Sequence, residues 1–195
     1  MKIVGLTGGI GCGKTFVANY FSEFGIPVYS SDIRAKELMV TDADIKKGLR
    51  YLFGDEVFKD EHLNRKMIAD RLFTDKKLLN SINQLVHPKV QTDFDTWCRN
   101  QTTAKIVIKE AAILIESGAY KNCEFVILIT APIELRIKRV MQRDNLSYNE
   151  VMARIENQLS DEERIKYAHF VIENNGILDS KHEVEKIILK LNYGV

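Results

Sequence analysis

This sequence contains little of what marks several special classes of protein. It has 3 Pro, 3 Cys and 1 Trp, and none of its apolar runs approaches the ~18 residues of a membrane-spanning helix. Few prolines, 45% apolar residues and 28% charged residues exclude a disordered or fibrous chain. The first apolar run, Ile3 to Leu6, is too short for the core of a secretory signal. We therefore expect one compact cytoplasmic unit with no membrane partner.

The charge balance also excludes a class of partner. Lys and Arg number 28, Asp and Glu number 27, and the net charge is +1. Without an excess of positive charge the chain has no general field for nucleic acid, so we predict no nucleic-acid partner. Cys12, Cys98 and Cys123 are odd in number and lack metal-ligand spacing. This pattern fits a reducing compartment, and we assign no zinc.

Glycine, in contrast, is concentrated near the start of the chain. Of the 11 glycines, 5 lie between Gly5 and Gly13, where a hydrophobic core gains little from them. The segment GGIGCGKT, residues 8–15, matches G-x-x-x-x-G-K-[ST] and lies between a predicted strand, residues 2–6, and a predicted helix, residues 14–24. Successive N–H groups of such a loop surround an anion at a helix N-terminus. The pattern predicts a phosphate-binding loop; the alternative is a turn that binds nothing.

The loop pattern also assigns roles to individual residues. Lys14 is expected to reach the β and γ phosphates of a nucleotide, and the Thr15 hydroxyl to ligate the Mg²⁺ that bridges them. The residues expected to bind the nucleotide here are Gly9, Ile10, Gly11, Cys12, Gly13, Lys14 and Thr15. A thiol among phosphate-binding amides can have a lowered pKa and react with oxidants. Cys12 is therefore either redox-sensitive or a small residue that fills a tight loop.

Along the rest of the chain, short apolar strands alternate with helices. Further strands are predicted at residues 26–29, 105–109, 125–130 and 169–172, with helices from residue 131 and over residues 179–192. From about residue 33 to 100, charged helical segments replace strands, with a turn at residues 53–55 and a break at His87–Pro88. The alternation predicts a parallel sheet with right-handed crossovers, interrupted by a helical insertion.

Two further features bear on the chemistry. Asp32 follows the second predicted strand, where a carboxylate is either a base for an acceptor hydroxyl or the N-cap of a helix starting at Ile33. Arg136, Arg139 and Arg143 share one helix face, where they either contact a transferring phosphoryl group or form a solvated face. The loop by itself fits a GTPase switch, a motor or a small-molecule kinase.

Six segments, in this order along nearly the whole chain, resemble the dephospho-CoA kinase family. They are GLTGGIGCGKT, IPVYSSDIRAKEL, VHPKV, AAILIESGAY, RVMQRD and VIENNG. The resemblance implies a P-loop kinase fold, with a five-stranded parallel sheet flanked by helices. It divides the chain into a nucleotide-binding core of residues 1–32 and 103–195, a helical acceptor-binding insertion of residues 33–102 and a helical lid of residues 136–165.

The family activity and residue roles are implied by the same resemblance. ATP, with Mg²⁺, phosphorylates the ribose 3′-hydroxyl of dephospho-CoA, giving CoA and ADP in the last step of coenzyme A biosynthesis. Asp32 aligns with the catalytic aspartate and is implied as the base, with Lys14 and Arg139 as catalytic partners. Arg139 and Arg143 are implied as phosphate contacts of the lid. Arg136 matches nothing in the family and keeps the solvated-face interpretation. We expect a monomer or a weak homo-oligomer.

Some positions depart from the family pattern or keep two interpretations. Ser30 stands where the family often has an aspartate, which puts a magnesium contact there in doubt, and Ala112 replaces a common proline. Glu116 either helps to hold the nucleotide substrate or is an ordinary surface carboxylate. His87 is interpreted as part of a structural turn rather than a base. Phe94 and its neighbour Trp97 are interpreted as core of the insertion rather than a platform for adenine.

Three other functions are kept as alternatives. Another small-molecule kinase, for a nucleoside monophosphate or a sugar acid, shares the loop and lid but has a different acceptor pocket. A GTP-dependent switch is expected to carry N-K-x-D, which the sequence lacks. A nucleotide-binding module needs no base at Asp32 and binds ATP without acceptor-dependent release of ADP.

Overall fold

The computed structural model describes residues 1–60, 62–175 and 177–193. Its contacts divide the chain into two compact units. The first unit contains Met1–Ser30 and Thr103–Val195, and the second contains Ser31–Thr102. Within the described ranges, no helix has the length and apolar character needed to cross a lipid bilayer.

The helices and strands follow one another in a mixed order. They are β1 (Lys2–Gly8), α1 (Lys14–Glu23), β2 (Val28–Ser30), α2 (Ser31–Thr41), α3 (Ala43–Phe53), β3 (Phe58–Lys59), β4 (His62–Leu63), α4 (Arg65–Thr74), α5 (Lys76–Arg99), β5 (Ile106–Glu110), β6 (Phe125–Thr130), α6 (Ile133–Asp144), α7 (Tyr148–Glu156), α8 (Asp161–Ile165), β7 (Phe170–Glu173) and α9 (Ile177–Tyr193). Short 3-10 helices cover Asp55–Val57 and Ala119–Asn122.

The first unit is built on a parallel sheet with the strand order β2-β5-β1-β6-β7. The central strand β1 pairs on both sides, with Val4 opposite Ile108 of β5 and Leu6 opposite Ile127 of β6. Parallel strands that are covered on both faces read as continuous apolar runs, and β6 is such a run. The predicted five-stranded parallel sheet flanked by helices is confirmed.

Apolar side chains from the sheet and two helices form the main core of this unit. Burying one large apolar side chain completely stabilises the fold by about 1.5–3 kcal/mol relative to leaving it exposed to water. Representative core residues are Val4, Leu6, Val17, Phe21, Ile127, Ile129, Val184 and Leu191. Val184 and Leu191 are among the residues by which the C-terminal helix α9 contributes to this core.

Three strands are shifted from their predicted positions, and one of them is β7, predicted at residues 169–172 and observed at Phe170–Glu173. The segment predicted at residues 26–29 forms β2 at Val28–Ser30, because Pro27 has no N–H for the strand ladder. The strand predicted at residues 105–109 is observed as β5 at Ile106–Glu110. The shift of β5 matters for the site because it places Glu110 at the carboxyl end of a strand next to β1.

The second unit contains α2 to α5 and the small hairpin of β3 and β4. Gly54 ends α3 with a φ of 88°, which confirms the turn predicted there. The break predicted at His87–Pro88 is wrong, because α5 continues through Pro88. An internal proline costs a helix about 3 kcal/mol. The burial of Val86, Val90 and Phe94 along α5 offsets that cost.

Candidate active site

The glycine loop joins β1 to α1 at the carboxyl edge of the parallel sheet. Gly13 precedes α1 in the left-handed conformation, with φ 90° and ψ 31°, and it has no side chain with which to cap the helix. The first N–H groups of a helix lack partners inside the helix. At the start of α1 they are thus available to an anion, which the helix dipole also favours.

Three carbonyl groups of the loop are bound from one side by side chains that follow it far along the chain. The carbonyls of Ile10, Gly11 and Cys12 accept hydrogen bonds from Arg136 Nε at 2.9 Å, Arg139 Nη1 at 3.4 Å and Asn174 Nδ2 at 2.9 Å, respectively. In a trans peptide the N–H points opposite to the C=O. The next N–H groups, those of Gly11, Cys12 and Gly13, therefore point away from these side chains, and the Cys12 N–H donates to the Gly9 carbonyl at 3.4 Å. The Gly11 and Gly13 N–H groups are donors suited to phosphate oxygens.

Close packing explains why positions 9 and 13 of the loop are glycine. A Cβ on Gly9 would lie 2.0 Å from Arg136 Nη2, and one on Gly13 would lie 2.1 Å from Asn174 Nδ2. Asn174 is itself buried, and its Oδ1 accepts a hydrogen bond from the Ser180 hydroxyl at 3.1 Å. The glycines therefore allow the supporting side chains to reach the loop, in addition to leaving room for a ligand.

Lys14 extends over the start of the loop. Its Nζ donates to the Gly8 carbonyl at 2.9 Å and to the Gly9 carbonyl at 3.2 Å. An ammonium group has three donors, so one more can reach a phosphate while these two contacts are kept. Thr15 follows in the first turn of α1 and is exposed, so its hydroxyl is accessible to a ligand.

Cys12 is fully buried inside the loop. Burial raises the pKa of its thiol, an effect that the nearby charges of Lys14 and then Arg136 oppose but do not overcome. The redox-sensitive interpretation, which needs a lowered pKa, is therefore disfavoured, because desolvation disfavours the thiolate more strongly than the surrounding donors favour it. The structure favours the alternative, a small residue that fills a tight loop.

The three arginines of α6 differ in environment, although they share one helix face. Arg136 is only 6% exposed, so its interpretation as part of a solvated face is wrong. Arg139 lies beside the loop and also donates through Nη2 to the Asn174 carbonyl at 3.3 Å. Arg143 is 63% exposed and pairs with Asp144 through Nε at 2.7 Å. A phosphate contact by Arg139 or Arg143 stays a prediction.

Asp32 lies in the first turn of α2, which begins at Ser31 directly after β2. Because the helix starts before Asp32, the N-cap interpretation of this residue is wrong. Arg34, one turn along, donates through Nε and Nη2 to the Asp93 carboxylate of α5 at 2.9 and 2.6 Å, which fixes α2 within the second unit. The role of Asp32 as the base stays a prediction.

A buried carboxylate that the sequence did not single out ends β5. Glu110 is 5% exposed, and its Oε2 accepts a hydrogen bond from the Ser30 hydroxyl at 2.5 Å. The two residues are register neighbours at the ends of β2 and β5. The available signal was an apolar strand that ends in an acidic residue, at the sheet edge where the glycine loop begins.

Further along the chain, a series of charged side chains connects this site to the segment after β5. Arg136 Nη1 contacts Asp161 Oδ2 at 3.1 Å, and Asp161 Oδ1 lies 3.6 Å from Arg164 Nη1. Arg164 is fully buried and donates through Nη2 to Glu116 Oε1 at 2.7 Å. Glu116 therefore has an ion-pair partner, which neither of its two interpretations included. No sequence pattern pointed to Asp161 or Arg164.

The parallel sheet and the donor-lined glycine loop between β1 and α1 define this chain as a P-loop kinase. A family model described as dephospho-CoA kinase matches residues 2–180. The chain belongs to the dephospho-CoA kinase family, and the resemblance seen in the sequence is confirmed. It is thereby a phosphotransferase.

Individual relatives and solved structures are similar to this chain over most of their length. A dephospho-CoA kinase of Bacteroides fragilis is 40% identical over 173 residues, which is 89% of this chain and 84% of the relative. The structure of a dephospho-CoA kinase from Campylobacter jejuni is 29% identical, with a TM-score of 0.72 and coverage of 100% of this chain and 99% of the other. A crystal structure from Thermus thermophilus is 33% identical, with a TM-score of 0.89 and coverage of 99% and 98%.

Proposed function

We propose that this chain transfers the γ-phosphoryl group of ATP to the ribose 3′-hydroxyl of dephospho-CoA, giving CoA and ADP. Family membership supports ATP-dependent phosphorylation of dephospho-CoA, the last step of coenzyme A biosynthesis. The observation that carries the proposal is the loop after β1, whose Gly11 and Gly13 N–H groups face away from the side chains that bind the preceding carbonyls. A cytoplasmic location and a monomeric or weakly oligomeric state stay predictions.

The loop binds and orients the phosphate chain of ATP in this proposal. The loop N–H groups donate to the β-phosphate oxygens without moving, so the site is organised before the ligand arrives. Lys14 keeps at least one of its carbonyl contacts and directs its remaining donor at the β and γ phosphates. Arg139 adds positive charge beside the loop, where negative charge develops as the phosphoryl group is transferred.

The residues at this sheet edge fit Mg²⁺. This ion prefers oxygen ligands and retains several waters, so it needs few protein groups. Thr15 would hold it through an exposed hydroxyl, and the Glu110 carboxylate with its Ser30 partner supplies negative charge at the same edge. When bound, Mg²⁺ would neutralise part of the negative charge of the phosphates.

Asp32 is the proposed base for the acceptor. Its carboxylate takes the proton of the 3′-hydroxyl, or orients that hydroxyl in line with the γ phosphate. The second unit, which begins at Ser31, is the proposed acceptor-binding insertion. Its contacts with the rest of the acceptor would hold the ribose in place. Such positioning lowers the barrier of a transfer reaction, because the reacting groups are already oriented.

The lid of residues 136–165 is proposed to close over ATP and exclude water. It is attached to the loop at Arg136, its first residue, and at Gln158, which accepts a hydrogen bond from the Ile10 N–H at 2.9 Å. Closure therefore involves the segment between these attachments. Arg143 lies in that segment and, being exposed, can turn from Asp144 to a phosphate.

The function is tested by measuring ADP release with Mg-ATP and a set of acceptors. We expect dephospho-CoA alone to stimulate release strongly, with CoA as the product, whereas AMP, CMP, adenosine and gluconate do not. The reason is that only the correct acceptor places its hydroxyl in line with the γ phosphate. Stimulation by a different acceptor would replace the proposed substrate, and no stimulation by any acceptor would favour a nucleotide-binding module.

A second prediction concerns the metal. Thr15→Ala should lower kcat/KM by about 10²-fold and raise the Mg²⁺ concentration needed for half-maximal activity, because the proposed hydroxyl ligand is lost. Thr15→Ser keeps the hydroxyl and should stay within about threefold of the parent protein. Mg²⁺ titrations at fixed ATP measure both effects. Equal activity of the Ala and Ser variants would remove Thr15 from the metal site.

A further inference from the structure

Both backbone polar groups of Ile10 are bound by side chains from the far part of the chain. The Ile10 N–H donates to Gln158 Oε1 at 2.9 Å, and Arg136 Nε donates to the Ile10 carbonyl at 2.9 Å. We propose that Arg136 and Gln158, together the Ile10 clamp, are positioning residues that hold the loop in its phosphate-binding conformation. This inference rests on the proposed function, because it concerns the same loop.

The direction of the Gly9–Ile10 peptide shows on which side of the loop Gln158 lies. The Gly9 carbonyl accepts from Lys14 Nζ at 3.2 Å. In a trans peptide the following N–H points the opposite way. The Ile10 N–H, and with it Gln158, therefore lies on the side of the loop away from the Lys14 ammonium. Gln158 supports the loop from behind, and it does not occupy the place of a phosphate oxygen.

The next peptide is held in the complementary direction. Arg136 binds the Ile10 carbonyl, so the Gly11 N–H points away from Arg136. The two halves of the clamp thus direct the Gly9 carbonyl toward Lys14 and the Gly11 N–H toward a phosphate. Lys14 and the Gly11 N–H are the groups proposed to act on the phosphates during transfer, and a displacement of about 1 Å in such a site costs up to about 10²-fold in rate.

The arginine half of the clamp is held rigidly by buried charges. Arg136 pairs with Asp161, Asp161 lies next to Arg164, and Arg164 pairs with Glu116. Arg136 and Arg164 are 6% and 0% exposed, so each needs a nearby carboxylate to offset the loss of hydration. These alternating charges hold the Arg136 guanidinium close to Gly9. A Cβ placed on Gly9 would lie only 2.0 Å from Arg136 Nη2.

The glutamine half allows a direct test, because Gln158 is only partly buried and its replacement leaves the charged residues in place. Gln158→Ala removes the acceptor of the Ile10 N–H, whereas Gln158→Glu keeps an acceptor oxygen at the same distance from the backbone. Asn157→Ala is the matched control: Asn157 is the exposed neighbour, and its amide donates to the Ala153 carbonyl at 2.8 Å, within α7 and its C-cap.

We expect Gln158→Ala to lower kcat by about tenfold while KM for ATP changes by less than about threefold, because the loop still binds phosphate but aligns it poorly. Gln158→Glu should recover kcat to within about threefold of the parent protein, and Asn157→Ala should match the parent. Unchanged kinetics of Gln158→Ala, equal losses in the Ala and Glu variants, or an equal loss in Asn157→Ala would each overturn the proposal.

Hydrogen exchange of the Ile10 amide supplies a readout that needs no catalysis. In Gln158→Ala this amide should exchange at least about tenfold faster, while Gln158→Glu and Asn157→Ala keep the parent rate. An unchanged Ile10 rate in Gln158→Ala would overturn the clamp even if the kinetics changed. If the parent protein released no ADP with dephospho-CoA, the proposed function would fail, and the exchange rates would still report whether Gln158 holds the loop.

Discussion

Asp32→Asn is expected to lower the turnover number by about 10²- to 10⁴-fold, the range found when a general base is lost. Asn keeps the size of the side chain but cannot take the proton of the 3′-hydroxyl. The loop amides and Lys14, which are proposed to bind ATP, do not depend on that proton transfer. KM for ATP should therefore change by less than about threefold, as for a contact that acts in the transition state.

The control for this variant is Asp44→Asn. Asp32 and Asp44 both lie in the first turn of a helix of the second unit, where a negative charge favours the helix by interaction with its dipole. Asp44 is exposed and pairs with Lys89, so its loss should affect stability slightly and turnover hardly at all. Steady-state ADP release and thermal unfolding of both variants make the comparison. Normal turnover of Asp32→Asn would exclude Asp32 as the base.

The parts of the site that the sequence predicted are those that depend on local backbone geometry. The glycine loop is one continuous segment between a strand and a helix, so its position and its conformation follow from neighbouring residues. The strand at residues 125–130 was predicted with its observed bounds, because an uninterrupted apolar run fits a strand buried on both faces. Likewise, the end of α1 follows from Gly25, which has a φ of 74°.

The errors arose where packing between distant segments decides the environment. Helical spacing placed Arg136 on the correct face of α6, but spacing does not tell whether that face meets solvent or the loop. The redox-sensitive interpretation of Cys12 took account of the amides beside it, whereas burial by the rest of the unit dominates its pKa. His87–Pro88 was predicted as a break from local propensity, which the packing of α5 overrides.

The supports of the loop were missed for a related reason. Gln158 lies 148 residues after Ile10, and Asn174 lies 162 residues after Cys12, so only the folded sheet brings these pairs together. Neither side chain has a chemical character that marks it in the sequence as a loop contact. The glycine pattern thus predicted where phosphate binds but not what holds the loop in shape.

Lys14→Ala is expected to lower kcat by about 10²- to 10³-fold, the cost of removing one preorganised donor from a transition state. In contrast to Asp32→Asn, it should also raise KM for ATP, by about tenfold or more, because the ammonium is proposed to bind the phosphates before transfer begins. Initial rates over a range of ATP concentrations, together with calorimetric titration of ATP, separate the two losses. Normal rates in this variant would refute the phosphate-binding assignment of the loop.

Lys14→Arg separates charge from geometry. The Lys14 ammonium lies 2.9 and 3.2 Å from two successive carbonyls, those of Gly8 and Gly9, and a planar guanidinium cannot make the same pair of contacts from this position. We therefore expect the Arg variant to lose more than about tenfold in kcat although it keeps the positive charge. Lys186→Ala, which removes an exposed lysine paired with Glu183 on α9, should leave both constants unchanged. Recovery of full activity by the Arg variant would mean that charge alone is sufficient. In that case the contacts with the Gly8 and Gly9 carbonyls would not be needed to position the cationic group. The orientation of the Gly9–Ile10 peptide would not be needed for this either.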